Sequence, residues 1–214
     1  MQPTIIMKNQ CADTDFKTLV NNSGMKLILS AIIILLLSST SFAQTTYSLD
    51  KNHAKVGFSA VHFGISDIEG NFKIIDATLN SKKSDFTDAE ITFTADVNSI
   101  NTDVAFRDSD LKSENYFNAG KYPSIYFTST SFKKLNSKNY RLLGNITIHG
   151  ITKPVVFNVI YNGQAITAMK KNTAGFTING MINRLDFGVG GSVITSGISN
   201  SITLRSNVEF TITE

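Results

Sequence analysis

The sequence contains no tryptophan and a single cysteine, Cys11, among 214 residues. Without a second thiol no intrachain disulfide can staple the fold, so whatever the chain builds must rest on its own core. Histidine is almost as scarce. His53, His62 and His149 are the only three, and their spacing matches no zinc signature, so no metal is assigned. A Gly-x-Ser-x-Gly elbow is missing as well, which removes the commonest nucleophilic arrangement. Catalysis could still enter through an acid pair drawn from His62, Asp108 or Asp186, but no residue is assigned a catalytic role and no cofactor is called for. Basic residues form no stripe. Lys82-Lys83, Lys133-Lys134 and Lys170-Lys171 are isolated pairs among acids and polar residues, which reads as solvated turns rather than a nucleic-acid surface.

Long apolar runs are absent too, with one exception, Leu27 to Leu37. As a helix its eleven residues would rise about 16 Å, roughly half a bilayer's hydrocarbon core, so the run is too short to span one. With Lys26 before it and Ser41-Phe42-Ala43 after it, the segment has the layout of a secretory signal. Residues 1–43 are therefore expected to be a leader and cleaved signal peptide, with Met25 as the natural start and cleavage after Ala43. The mature chain, 44–214, would then be cysteine-free and periplasmic or secreted. Removing Lys8, Lys17, Lys26, Asp13 and Asp15 leaves 17 basic and 15 acidic residues, a balance of +2.

In that mature region the dominant signal is alternation of apolar and polar residues, the mark of strands with one buried face. It is clearest in Ala89, Ile91, Phe93, Ala95 and Val97, and again in Ile202, Leu204, Val208, Phe210 and Ile212. Similar runs over 54–62, 71–79, 124–132, 139–149, 154–161 and 174–184 bring the count to eight. Turn residues such as Asn80 to Asp85, Asn136 to Asn139 and Asn162-Gly163 stand between most of them, favouring antiparallel neighbours. The expected fold is all-β, an eight-stranded antiparallel barrel or sandwich. Thr102 to Asn115 breaks the alternation and is charged, so a short helix or capped loop is expected between strands three and four, with Thr102 or Asp103 as cap.

Fifteen phenylalanines, most on the inward parity, give the barrel an apolar interior. Small residues share that parity at Ala60, Gly144, Ala174 and Gly180, but an eight-stranded barrel is wide enough either to be filled by side chains or to hold one small ligand. Arg184 continues the inward parity of Ala174, Phe176, Ile178 and Ile182. It either pairs with Asp186 at the barrel end or meets an anionic head group. Arg107 poses the same question in the insertion, with Asp108 as a capping group.

The ordered motifs Leu49-Asp50-Lys51-Asn52-His53, Val61-His62-Phe63-Gly64, Arg107-Asp108-Ser109-Asp110-Leu111, Lys121-Tyr122-Pro123 and Arg184-Leu185-Asp186-Phe187-Gly188 together resemble the YceI-like family of bacterial lipid-binding proteins, over nearly all of residues 47–212. The resemblance implies a lipocalin-like extended barrel outside the cytoplasm whose tunnel takes a polyisoprenoid or fatty-acyl molecule. One departure is Ala54, where the family more often has serine after the histidine. The ligand-binding residues expected on this basis are the tunnel side chains Phe58, Phe72, Phe93, Phe127 and Phe157, joined by Ile146, Ile148 and Phe176. His62, Arg107, Asp108, Arg184 and Asp186 would stand at the polar end. The partner expected is an apolar or amphiphilic small molecule, with no nucleic acid, no stable membrane insertion once the signal is removed, and a homodimer compatible with this reading. A lipid-modifying enzyme and a filled barrel serving as an interaction module are the alternatives.

Overall fold

The computed structural model describes residues 43–191 and 197–213; the expected leader, apart from Ala43, and its apolar run lie outside the described residues. Eleven strands form one antiparallel sheet that closes on itself. The first three strand positions are each broken once. Strand β1 (Thr45–Leu49) is followed by a 3-10 turn, Lys51–His53, and then by β2 (Lys55–His62). The turn is initiated by Asp50, whose Oδ1 accepts the Asn52 N–H at 3.0 Å, a local bond that competes with the ladder. β3 (Ser66–Phe72) and β4 (Ile75–Ser81) make the second position, and β5 (Glu90–Asp96) and β6 (Ile100–Asn101) the third.

The remaining five positions are unbroken: β7 (Ser124–Lys134), β8 (Asn139–Ile148), β9 (Ile151–Ile166), β10 (Asn172–Asn183) and β11 (Ile198–Ile212). Each position pairs with the next in sequence. β11 then returns to the first, pairing with β2 through Leu204↔Phe58 and with β1 through Phe210↔Leu49. The result is the expected eight-stranded, antiparallel, closed barrel, in up-and-down order.

Alternation was the right guide to which side chains face inward. In β8, Tyr140, Leu142, Gly144, Ile146 and Ile148 are all buried, while Arg141 and Asn145 between them are exposed. The core is therefore the barrel axis itself, and it is unevenly filled. At the end where β4 turns into β5, the loop inserts Phe86, which is 0 % exposed and has a left-handed φ of 59°. Its ring meets Tyr47, Tyr161 and Phe176 at centroid distances of 5.5, 5.7 and 5.4 Å. A side chain accepts that backbone only where the surroundings hold it, and here they do. The Asp88 carboxylate accepts the Ser81 hydroxyl and the N–H groups of Lys82 and Lys83, and Asp85 accepts from Thr87. Tyr140, stacked on Phe132 at 4.8 Å, donates its hydroxyl to Asp85 O at 2.8 Å. That end is a plug.

The expected helix is α1 (Ala105–Lys112), between the third and fourth strand positions, with no buried residue. Neither Thr102 nor Asp103 caps it. Val104 occupies the N-cap without a side-chain bond, because Asp103 takes a left-handed φ of 61° and receives Asn101 Nδ2 at 2.8 Å, while Thr102 is buried and donates to Asp108.

Candidate functional site

Between the plug and the opposite end the barrel is hollow. A deep cavity of about 140 Å³ runs along the axis, and its lining is apolar apart from Ser206. A wider cavity of about 490 Å³ lies toward the mouth, and the two share Phe72, Ile125, Ile148, Ile182 and Leu204 as a common waist. Ligand pockets are commonly 300–1,000 Å³, mostly apolar with a few polar groups, and this pair fits that description.

How can a barrel with so many phenylalanines stay hollow? Three rings sit against glycines of the neighbouring strand. A Cβ on Gly70 would meet the Phe58 ring at 2.3 Å, one on Gly144 the Phe127 ring at 2.4 Å, and one on Gly180 the Phe157 ring at 2.3 Å. Gly144 and Gly180, read from the sequence as small inward positions, do leave room, and a neighbour's ring occupies it. The rings thereby turn along the wall, and the axis stays open. Phe127 and Phe157 then meet edge to face at 5.7 Å.

The mouth is built from the ends of β2 and β10, from α1 and from the segment after β10. Arg184 is only 8 % exposed. Its partners among the described residues include Ser199 O at 3.1 Å, Val189 O at 2.9 Å and Asn200 Oδ1 at 3.1 Å, whereas Asp186 is exposed. The guanidinium thus ties the segment after β10 to the start of β11 instead of closing the barrel with Asp186. Arg107 Nε donates to Thr102 Oγ1 at 2.8 Å and its Nη2 to Thr102 O at 2.7 Å, while Asp108 Oδ1 accepts the Thr102 N–H and hydroxyl at 2.8 and 2.6 Å. Arg107 and Asp108, adjacent in α1, converge on one buried threonine and so fix the helix to β6.

Of the ligand-binding residues expected from the sequence, Phe93, Phe127, Ile146, Phe157 and Phe176 line the deep cavity. Phe72 and Ile148 line both cavities, and Phe58, His62, Arg107 and Arg184 line the mouth. Asp108 and Asp186 line neither: the first is turned to Thr102, the second to solvent. Sequence reasoning passed over Thr102, Phe106, Asp110, Leu111, Tyr116 and Phe117, which also line the mouth. Their signal was apolar and aromatic residues inside an otherwise charged insertion. Burial, reinforced by the Asp110 carboxylate and opposed by Arg184, pushes the Tyr116 phenol above its ordinary pKa.

Among the described residues one group has metal-ligand chemistry, Asp50, His53 and Glu209. None of the three lines either cavity, and His53 Nδ1 is already bonded to Asp50 Oδ2 at 2.9 Å, a local hydrogen bond at the turn after β1. No helix among the described residues is long and apolar enough to cross a membrane.

Comparison with known proteins agrees with this geometry. A UPF0312 protein of Photorhabdus laumondii is 36 % identical over 155 residues, 72 % of this chain and 80 % of that protein. Protein YceI of Salmonella arizonae is 34 % identical over 157 residues, 72 % of this chain and 82 % of that protein. Among solved structures, the Campylobacter jejuni YCEI protein superposes with a TM-score of 0.63 at 30 % identity, covering 70 % of this chain and 88 % of the other. A polyisoprenoid binding domain from Saccharophagus degradans shares the fold at 14 % identity, with a TM-score of 0.57 over 78 % of this chain and 98 % of the other. Residues 47–210 match the YceI-like domain, and the chain belongs to the YceI-like family.

Proposed function

We propose that the barrel is a carrier that binds an amphiphilic lipid of polyisoprenoid or fatty-acyl type, with the chain along the axis and the polar end at the mouth near Arg107, Arg184 and His62. The observation that carries this reading is the deep cavity, whose lining has one polar residue, Ser206, in twenty-three. Such a space, sealed at one end by Phe86, favours hydrocarbon over water. Burial supplies enough free energy without a covalent step: ten methylene units at about 0.8 kcal/mol each give roughly 8 kcal/mol, a micromolar interaction before association costs. Membership of the YceI-like family and the shared fold with a polyisoprenoid binding domain support the same ligand class.

The expected signal segment, Met25 to Ala43, supports a place outside the cytoplasm, periplasmic or secreted, for this carrier. Binding is favoured over turnover, because the two arginines at the mouth are engaged in holding α1 and the segment after β10.

The test is native mass spectrometry and solvent extraction of the protein purified from its own host. A co-purifying lipid is the expected result. A barrel that emerges empty and takes up no prenyl or acyl amphiphile in vitro refutes the carrier, and chemical conversion of the bound lipid, lost in His62→Ala, would make the protein an enzyme.

A further inference from the structure

The deep cavity ends on a floor of buried side chains, with Phe176 at its centre and the plug behind it. Phe176, on β10, is 3 % exposed and lines the cavity. It is also the hub of the ring cluster, touching Phe86 at 5.4 Å, Tyr161 at 5.4 Å, Phe210 at 6.1 Å and Phe132 at 6.5 Å. Behind it Phe86 and Tyr140 are 0 % and 1 % exposed, so among the described residues that end is filled by buried rings. A chain entering at the mouth therefore has one way in and a fixed stopping point.

Resting on the carrier reading above, we infer that Phe176 sets the maximum length of chain the barrel accepts. The span follows from the backbone. Eight residues separate Phe176 from Arg184 at the mouth. At about 3.3 Å per residue and a strand tilt of roughly 40° they cover about 20 Å along the axis. A carbon zigzag with bonds of about 1.5 Å advances roughly 1.25 Å per carbon, so the barrel holds about 16 main-chain carbons, equivalent to four isoprene units. Branched methyl groups suit the stepped wall left by the rings over Gly144 and Gly180.

Truncating Phe176 moves the floor back to Phe86, 5.4 Å behind it, a gain of about four main-chain carbons at the same advance per carbon. The experiment measures dissociation constants of delipidated protein for prenyl alcohols of two to seven units, by displacement of a fluorescent fatty acid. For wild type, affinity rises about tenfold or more per added unit up to four units, and the gain then falls below about twofold. In Phe176→Ala the break moves to five units. Phe176→Leu, which keeps most of the cluster packing, moves it by less than one unit and is read as a smaller penalty at the fifth unit. Circular dichroism at 25 °C confirms that both variants are folded, and Phe176→Leu serves if Phe176→Ala is not. Wild type that binds none of the alcohols overturns the carrier reading and the length rule with it. Affinity that keeps climbing past four units in wild type, a break that stays at four units in folded Phe176→Ala, or an undiminished penalty at the fifth unit in Phe176→Leu, overturns the length rule alone.

Discussion

Gly180→Ala is the sharpest perturbation this barrel offers, because one added methyl group sets the wall against the lumen. The new Cβ would stand 2.3 Å from Phe157 Cδ1 and 2.8 Å from Cε1, but 3.4 Å from the Val156 carbonyl oxygen, a distance the backbone tolerates. The ring is what must move. To bring its edge from 2.3 Å out to 3.4 Å it retreats by at least 1.1 Å, and with the strand behind it the open direction is the deep cavity. Phe127, at 5.7 Å on the same wall, limits sideways escape. In the empty protein the crowding costs about 1–3 kcal/mol, the usual range for an overpacked core. In the loaded protein the displaced ring takes the place of about two methylene units of ligand, roughly 1.6 kcal/mol or about fifteenfold in affinity. Displacement of a fluorescent fatty acid measures the loss, thermal unfolding measures the strain, and Phe157→Val in the Gly180→Ala background recovers the affinity by removing the ring, but not the Tm, because a buried ring is lost. Wild-type affinity and wild-type Tm in Gly180→Ala would falsify the proposal that rings seated on glycines keep the lumen open.

Other expectations are simpler. Tyr140→Phe leaves Asp85 O without its 2.8 Å donor in the plug and lowers stability by about 1 kcal/mol in denaturant unfolding. Arg184→Met strips the donors from Val189 O, Ser199 O and Asn200; about 2–4 kcal/mol of stability is lost, and hydrogen exchange rises first at the start of β11. The pH response has two arms. His53 has its pKa raised by its bond to Asp50, so its contribution is complete below the ordinary histidine value of about 6.5 and fades as pH rises through the raised one; Tm in wild type falls slightly over that window and His53→Ala abolishes the slope. Asp85 is held below its ordinary pKa chiefly by the Thr87 hydroxyl, and Asp88 is also lowered, since its bonds to Ser81, Lys82 and Lys83 outweigh the raising effect of burial. Their support for the plug is full above about pH 4 and is lost as pH falls through the lowered values, so acid opens the loop around Phe86 before it unfolds β8 to β11, a sequence that amide exchange resolves.

What the sequence made legible was whatever depends on period two. The inward parity of the apolar residues in β5, β8, β10 and β11 was correct, since a closed barrel gives each strand one wet and one buried face, although Thr173 on the outward parity of β10 is buried as well. The strands whose polarity is irregular were cut short. β1 was not read at all because Asp50 interrupts it with a turn, and β3 was entered only at Asn71, because Asp67, Glu69 and Gly70 hide its alternation. At the site, the aromatic and aliphatic lining was readable from parity, but the conformation that keeps it hollow was not. That depends on which glycine of the next strand lies beneath each ring, a matter of cross-strand register. Charged residues misled in a consistent way: Asp108 and Asp186 were read as facing a ligand, and the structure turns one to Thr102 and the other to water. Phe86 was passed over because it sits in a Ser-Asp-Phe-Thr-Asp turn, where a lone ring has no periodic partner.

The up-and-down strand order also governs how the chain reaches this state. Seven of the eight pairings join neighbours in sequence, and each forms as soon as its second strand is made. The eighth, between β11 and the β1 and β2 position, joins residues such as Leu49 and Phe210. During synthesis from the N-terminus the first position must wait, with one edge unpaired and its apolar inner face uncovered, until almost the whole chain has appeared. An open edge of that kind is where two half-made molecules can join. Dilution during refolding should therefore raise the yield of closed barrels more than any change that strengthens an early hairpin, and the slow kinetic phase should report the arrival of β11.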